Sequence, residues 1–384
     1  MYKINDYICG YAVKDYAEQS LDCPIELDCS LGVNPAPLPA LVVERLRGLC
    51  ADGGYLVKSY PHDEALHEAL SVWCSAHGIN GIDKSFFALG NGSLELLYAV
   101  NILTLTRRSK VLGYGPQFTA YIDHVNCMGA LYDYYALPPE DNFRFNADDY
   151  ISKMNTSFNL FALENPNNPT GQIIALSDIR KIALRARELN TILLVDEAYG
   201  DYMEFSNSAL RLVNEFSNII VTKSFSKGFG MAGLRLGYAV NSDVHGVLPQ
   251  LKKLVCPFNG GALGRALAIA ALESTSSGAS LAALLDTENV IAGKQAVLAA
   301  LHGLKAACTS ERTPILTLYY PGENAAFDLQ KFLAYKVGLQ TVGCSTYDGL
   351  SARAVRLMLP APRHLAEKLL PMLAAVQADL PGIF

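Results

Sequence analysis

Hydrophobic positions along the chain change their period in a regular way. Leu41 to Leu49 carries helical spacing and ends near Gly53-Gly54. His62 to His77 predicts a second amphipathic helix, with Leu66, Leu70 and Trp73 on one face, and Ser93 to Leu105 a third, more apolar one. Short apolar runs bounded by turn residues follow: Lys110–Leu112, Leu160–Leu163, Ile192–Val195, Ile219–Thr222 and Leu236–Val240. Their length and flanks predict buried strands. Between two of them, Ser177–Leu189 predicts a helix with Ser177 as N-cap and Ile179, Ile182, Ala183 and Ala186 as its buried stripe. Strands alternating with helices predict an α/β domain with a mainly parallel sheet flanked by helices.

The pattern shifts past about residue 250. Residues 262–306 are Ala/Leu-rich and predict helix. Thr313–Tyr320, a helix from Phe327 to Tyr335, Ala354–Leu359 and a final helix from His364 predict a smaller α+β unit. The expected organisation is an irregular N-terminal arm (1–35, with the Asn34-Pro35-Ala36-Pro37 punctuation), a large domain (36–250) and a small C-terminal domain (251–384). The chain has no internal repeat and no low-complexity segment.

Composition narrows the class. With 384 residues, 51% hydrophobic and 18% charged, the chain can bury a sizeable core. A net charge of -6 and the lack of a basic stripe argue against nucleic acid. The short cluster Arg107, Arg108 and Lys110 reads as a solvated helix end. Nine scattered cysteines form no Cys-x-x-Cys pair and no zinc-site spacing with histidine, so reduced, mostly buried thiols in a cytoplasmic protein are expected and no metal. The first residues carry early charges and no apolar core, which argues against a signal peptide, and no apolar run is long enough to span a membrane.

Three pieces carry chemistry: Glu-Asn-Pro-Asn-Asn-Pro-Thr-Gly (164–171), Val-Asp-Glu-Ala-Tyr (195–199) and Thr-Lys-Ser-Phe-Ser-Lys-Gly-Phe-Gly-Met-Ala-Gly-Leu-Arg-Leu-Gly (222–237). Each follows an apolar strand-like run. Ligands of open α/β sheets lie at the carboxyl ends of the strands, so one pocket can collect residues from all three. Their residue types match the needs of pyridoxal 5′-phosphate (PLP). A lysine must condense with its aldehyde; Lys227 is in place, with Lys223 as competitor. A carboxylate must pair with the pyridine nitrogen, and Asp196 at a strand end suits this. Asn168 and Tyr199 can serve the ring hydroxyl. Gly90-Asn91-Gly92-Ser93 before a helix forms an anion site, completed by Ser224, Ser226 and Arg235.

In this order and spacing the pieces resemble the signature of fold-type I PLP enzymes, the class I/II aminotransferase family, over about residues 28–360. Asp28-Cys-Ser-Leu-Gly-Val-Asn-Pro35, Tyr60-Pro61 before a helix, and Gly90 to Ser93 place it nearest the histidinol-phosphate aminotransferase and threonine-phosphate decarboxylase branch. The resemblance implies Lys227 as anchor and proton shuttle, Asp196 on the ring nitrogen, and Asn168 and Tyr199 on the ring oxygen. It implies Ser224, Ser226, Arg235, Gly92 and Ser93 on the phosphate, and Tyr121 stacked on the ring. It further implies Arg356 on the substrate carboxylate and Asn34 near the substrate. The partner subunit's Tyr60 would reach the phosphate, which requires a homodimer with shared active sites. The implied activity moves an amino group between a small amino acid and a 2-keto acid.

One departure stands out. Phosphate-substrate enzymes of this branch usually carry a second arginine ahead of the carboxylate arginine, and here Thr341-Val-Gly-Cys-Ser-Thr-Tyr347 has none. Cys344-x-x-Tyr347-x-Gly-Leu350 resembles the decarboxylase side instead, so a PLP-dependent decarboxylase stays open as an alternative. A non-catalytic sensor of this fold would bear a basic DNA-binding extension, whereas the alternating pattern begins at about residue 36.

Overall fold

The computed structural model describes Ile8, residues 21–51 and residues 53–380. The first part of the expected arm, with Cys9, and the last four residues lie outside them.

A seven-stranded sheet forms the centre. Its strands are β2 (Phe87–Gly90), β3 (Lys110–Gly115), β4 (Leu131–Ala136), β5 (Leu160–Glu164), β6 (Ile192–Asp196), β7 (Ile219–Ser224) and β8 (Gly237–Val240), in the order β2-β8-β7-β6-β5-β3-β4. All neighbours are parallel except those of β8. Successive residues of the central strands enter different cores. Phe161, Leu163, Leu193, Val195 and Val221 join one, while Leu160, Ala162, Leu194 and Ile220 join the other. Helices cover both faces, so these strands read as continuous apolar runs and not as alternation. On one face, the helix Leu176–Glu188 buries Ile179, Ile182, Ala183 and Ala186 as its stripe predicts. Each such isoleucine contributes about 1.5–3 kcal/mol by leaving water.

β1 (Leu27–Asp28) pairs in parallel with β11 (Leu339–Gln340). A four-stranded antiparallel sheet, β12-β13-β10-β9, is built from β9 (Lys305–Ala306), β10 (Ile315–Tyr319), β12 (Val342–Gly343) and β13 (Ala354–Met358). Leu316, Leu318, Val355 and Leu357 form its own core with Leu333, Leu373 and Val376 from two helices.

Four details differ from or add to the sequence reading. Ser177 is not the N-cap: its helix starts at Leu176, and the Leu176 amide donates to Asn207 Oδ1 at 2.7 Å, a cap supplied from 31 residues away. Residues 262–306 are mainly helical as expected, but divided. Helices Ala262–Ser274, Gly278–Leu284 and Thr287–Ala299 are separated by turns, the middle one opened by a Ser277/Ser280 capping box, and β9 closes the stretch. β4 was unmarked because it is an edge strand whose exposure alternates, so it shows no apolar run. The thiols are not mostly buried: of the eight described cysteines, Cys29, Cys74 and Cys344 are buried. Cys50 is exposed, on a helix whose buried residue is Val42. No single described helix is long and apolar enough to cross a membrane, and the described residues hold no cluster of metal-ligating side chains.

Candidate active site

Strand register brings the three motifs together. Glu164 pairs with Asp196, and Asp196 with Thr222, at the carboxyl ends of β5, β6 and β7. Above these ends lies a cleft of about 830 Å³. Its other walls are the segment 28–33, the start of the helix Ser93–Thr104, and Gln340, Thr341, Val342 and Arg356 from β11 to β13.

The two lysines separate cleanly. Lys223 is 2% exposed and is held 3.2 Å from Asp201 Oδ1 and 3.6 Å from Glu197 Oε2. Burial disfavours its charge, but the two carboxylates outweigh this and hold its pKa above the ordinary lysine value. It is a structural ion pair. Lys227 stands in the turn after β7 and lines the cleft, with Nζ 5.3 Å from the centre of the Tyr199 ring. The Lys227 carbonyl accepts from the Asn34 and Gly230 amides at 3.1 Å each, which pins the turn.

Asp196 is buried at the end of β6. Its Oδ1 accepts from Thr222 Oγ1 at 2.8 Å and the Ala198 amide at 3.1 Å. Burial still wins over these bonds and pushes the carboxyl up to about 6. Glu164 lies beside it. One oxygen, Oε2, accepts from Asn167 Nδ2 (3.2 Å), the Asn168 amide (3.2 Å) and the Phe118 amide (3.3 Å). Burial, reinforced by the Asp196 charge, drives its pKa well above the usual carboxylate range. Glu164 escaped the sequence reading, which took it only as the first residue of a turn motif. The available signal was a carboxylate closing an apolar strand, as Asp196 does.

Asn168 Oδ1 accepts from Arg356 Nη1 at 3.2 Å. The Tyr199 hydroxyl donates to the Gly32 carbonyl at 3.4 Å. Gly32 also escaped the sequence reading. A Cβ there would lie 2.0 Å from the Tyr199 hydroxyl oxygen and 3.5 Å from Lys227 Nζ, so the arm can close on the cleft only at a glycine.

The far corner is built for an anion. Gly92 (φ 79°) lets the chain turn into the 12-residue helix that starts at Ser93. Arg235 adopts the left-handed conformation (φ 50°), which costs roughly 1–2 kcal/mol for a residue with a side chain. Its guanidinium reaches Ser226 Oγ and the Asn91 carbonyl at 3.5 Å each. The Ser226 amide donates to Ser224 Oγ at 3.1 Å. Backbone amides, hydroxyls and one guanidinium converge here.

Three expected residues lie elsewhere. Tyr121 is not on the cleft. It faces inward from the helix Thr119–Cys127, is 2% exposed, and its hydroxyl has no partner. Phe118, the residue before that helix, lines the cleft instead. Asn34 does not face the cleft either: Nδ2 donates to the carbonyls of Gly228 (2.8 Å) and Leu284 (2.9 Å), fastening the arm to the Lys227 turn. Tyr60 is 73% exposed and packs at a tilt against Phe258 with 4.6 Å between ring centres, and it is not among the residues lining this cleft. Arg356 lines the cleft, buried on β13 beside Asn168, with Nη2 donating to the Ser30 carbonyl.

A profile of the family "Aminotransferase class I and II" matches residues 32–361. The chain belongs to the class I and II aminotransferases. Histidinol-phosphate aminotransferase of Thermoanaerobacter pseudethanolicus is 29% identical over 274 residues, 71% of this chain and 72% of that protein. The Sinorhizobium meliloti histidinol-phosphate aminotransferase structure, in complex with PLP, superposes with a TM-score of 0.78 at 20% identity, covering 99% of this chain and 98% of that one. A Thermus thermophilus aspartate aminotransferase double mutant gives 0.79 at 19% identity, over 98% and 100%. This class I/II aminotransferase is a PLP-dependent enzyme of the histidinol-phosphate aminotransferase branch, and the decarboxylase alternative is not favoured.

Proposed function

We propose that this aminotransferase exchanges an amino group between a small amino acid and a 2-keto acid, with Lys227 as anchor and proton carrier. The observation that carries the assignment is the pairing of an unbridged amine, Lys227, with the buried acid Asp196 in one cleft, while Lys223 is already spent on Glu197 and Asp201.

The residues fit the cofactor end to end. Bound PLP supplies an aldehyde for amines and a protonated ring that draws electrons from the substrate α-carbon. Asp196, whose charge is penalised by burial, gains a partner in the ring nitrogen and keeps the proton there. Asn168 and Tyr199 hold the ring hydroxyl. The Phe118 side chain supplies the wall assigned in the sequence to Tyr121. Gly92, Ser93, Ser224, Ser226 and Arg235 hold the phosphate. Lys227 Nζ takes the α-proton and returns it at a neighbouring atom. Arg356 grips the substrate carboxylate and keeps that group in place, which favours removal of the proton over loss of the carboxylate.

The exposed Tyr60–Phe258 pair supports a homodimer in which the partner subunit's Tyr60 reaches this phosphate corner. The unpaired state of the described cysteines supports a cytoplasmic enzyme. The deciding experiment titrates the PLP-loaded protein with single amino acids in the absence of keto acid. Loss of the visible cofactor band with one equivalent of keto acid released is the expected result. Release of carbon dioxide with the band retained would move the enzyme to the decarboxylases.

A further inference from the structure

We infer that the cleft selects amino acids whose side chain carries no negative charge, and that Asp28 enforces this limit. The inference rests on the aminotransferase reading above. Among the described residues lining the cleft, the cations are Lys227, Arg235 and Arg356. Lys227 meets the substrate amine and Arg235 sits in the phosphate corner, which leaves Arg356 for a single substrate anion.

The wall beyond Arg356 is uncharged. Gln340, Thr341 and Val342 line it, and Val342 is the register neighbour of Arg356 on the adjacent strand. A second guanidinium at Val342 would stand beside the first; the side chain there is apolar. Opposite, Asp28 pairs in register with Gln340 and lines the same cleft. Its Oδ1 accepts from the Ser30 amide at 2.8 Å and from Ser30 Oγ at 2.6 Å. The Ser30 carbonyl in turn accepts from Arg356 Nη2. One residue therefore links the carboxylate to the guanidinium that grips the substrate.

A substrate held at Arg356 directs its side chain along a neutral wall past a fixed negative charge. An aliphatic or aromatic side chain meets Val342 and, at the mouth, Leu31. A second carboxylate or a phosphate ester would lose water there with no cation among the described lining residues to replace it, and would be repelled by Asp28. Selection thus runs against dicarboxylic and phosphorylated amino acids, by an unmet charge and a like charge together.

The test uses the PLP-loaded protein without keto acid. L-alanine, L-leucine and L-phenylalanine are compared with L-glutamate and O-phospho-L-threonine by the concentration that half-converts the visible band. The anionic pair is expected to need at least about tenfold more than the best neutral amino acid. Asp28→Asn keeps an Oδ1 acceptor for Ser30 and is expected to narrow that ratio by roughly fivefold, the size of a solvent-exposed charge effect. Calorimetric titration provides a readout free of turnover: butyrate should bind more tightly than glutarate, and Asp28→Asn should shrink the difference. Conversion by glutamate or phosphothreonine at equal or lower concentration overturns the inference and leaves the aminotransferase reading standing. An unchanged ratio in Asp28→Asn removes Asp28 from the role. If no amino acid converts the band, both readings fall.

Discussion

The two halves of the cleft are built differently. The proposed cofactor half comes from the ends of three adjacent parallel strands, and its acid, Asp196, is held by Thr222 on the next strand and by the Ala198 amide just after β6. The proposed substrate half joins Arg356 of the four-stranded sheet to Ser30, 326 residues apart in the chain, and to Asn168 after β5. One sheet preorganises the first half. The second depends on three segments meeting in space, and the proposed selection against charged side chains rests on that meeting. Binding of the cofactor and choice of substrate can therefore be altered separately.

The contrast between the lysines gives the largest effect. Lys227→Ala should lose both the visible cofactor band and activity, whereas Lys223→Ala should keep the band in its folded fraction. The second variant should instead unfold more easily by about 3–5 kcal/mol, because Glu197 and Asp201 are left as buried charges without their partner. Absorbance and urea unfolding read the two properties; a colourless Lys223→Ala would reverse the assignment. Next, Arg356→Ala should weaken apparent substrate affinity by roughly 2–5 kcal/mol while the cofactor band survives. An unchanged affinity would take Arg356 out of the substrate half, and a lost band would erase the separation between halves.

A smaller effect lies in pH. The Asp196 carboxyl rises from 3.8 to about 6 on folding, chiefly through burial. Its contribution to stability is full below 3.8 and lost as pH rises through about 6. Cofactor-free protein should therefore lose melting temperature across that window, and Asp196→Asn should lose less of it. Equal losses in the two proteins would mean that the folded acid is not desolvated. The smallest effect is away from the site. Asn207→Ala should cost about 1–2 kcal/mol through the lost helix cap; denaturant midpoints would show it, and no change would mean that Leu176 finds another acceptor.

Legibility in the sequence followed the same division. Lys227, Asp196, Asn168, Ser224 and Arg235 lie in contiguous motifs at strand ends, so their convergence could be argued from the apolar runs before them. The aromatic wall could not. Phe118 and Tyr121 are three residues apart at the start of one helix, and which of them turns toward the cleft depends on the packing of that helix on the sheet. Asn34 carries the right residue type for a substrate contact, but its amide is consumed by Gly228 and Leu284. Ser177 lost its expected cap to Asn207 for a similar reason: the better acceptor arrived from a distant loop.

The sequence by itself determined the α/β class, the central strands and the cofactor, and it put forward the anchor. These follow from local periodicity and from motifs whose parts are close along the chain. Tertiary structure alone decided that Lys223 is locked between Glu197 and Asp201, that Glu164 stands beside Asp196, and that Asp28 shares a cleft with Arg356. Those outcomes depend on distances between residues far apart in the chain and on which charges burial leaves without water, and neither quantity is carried by residue order.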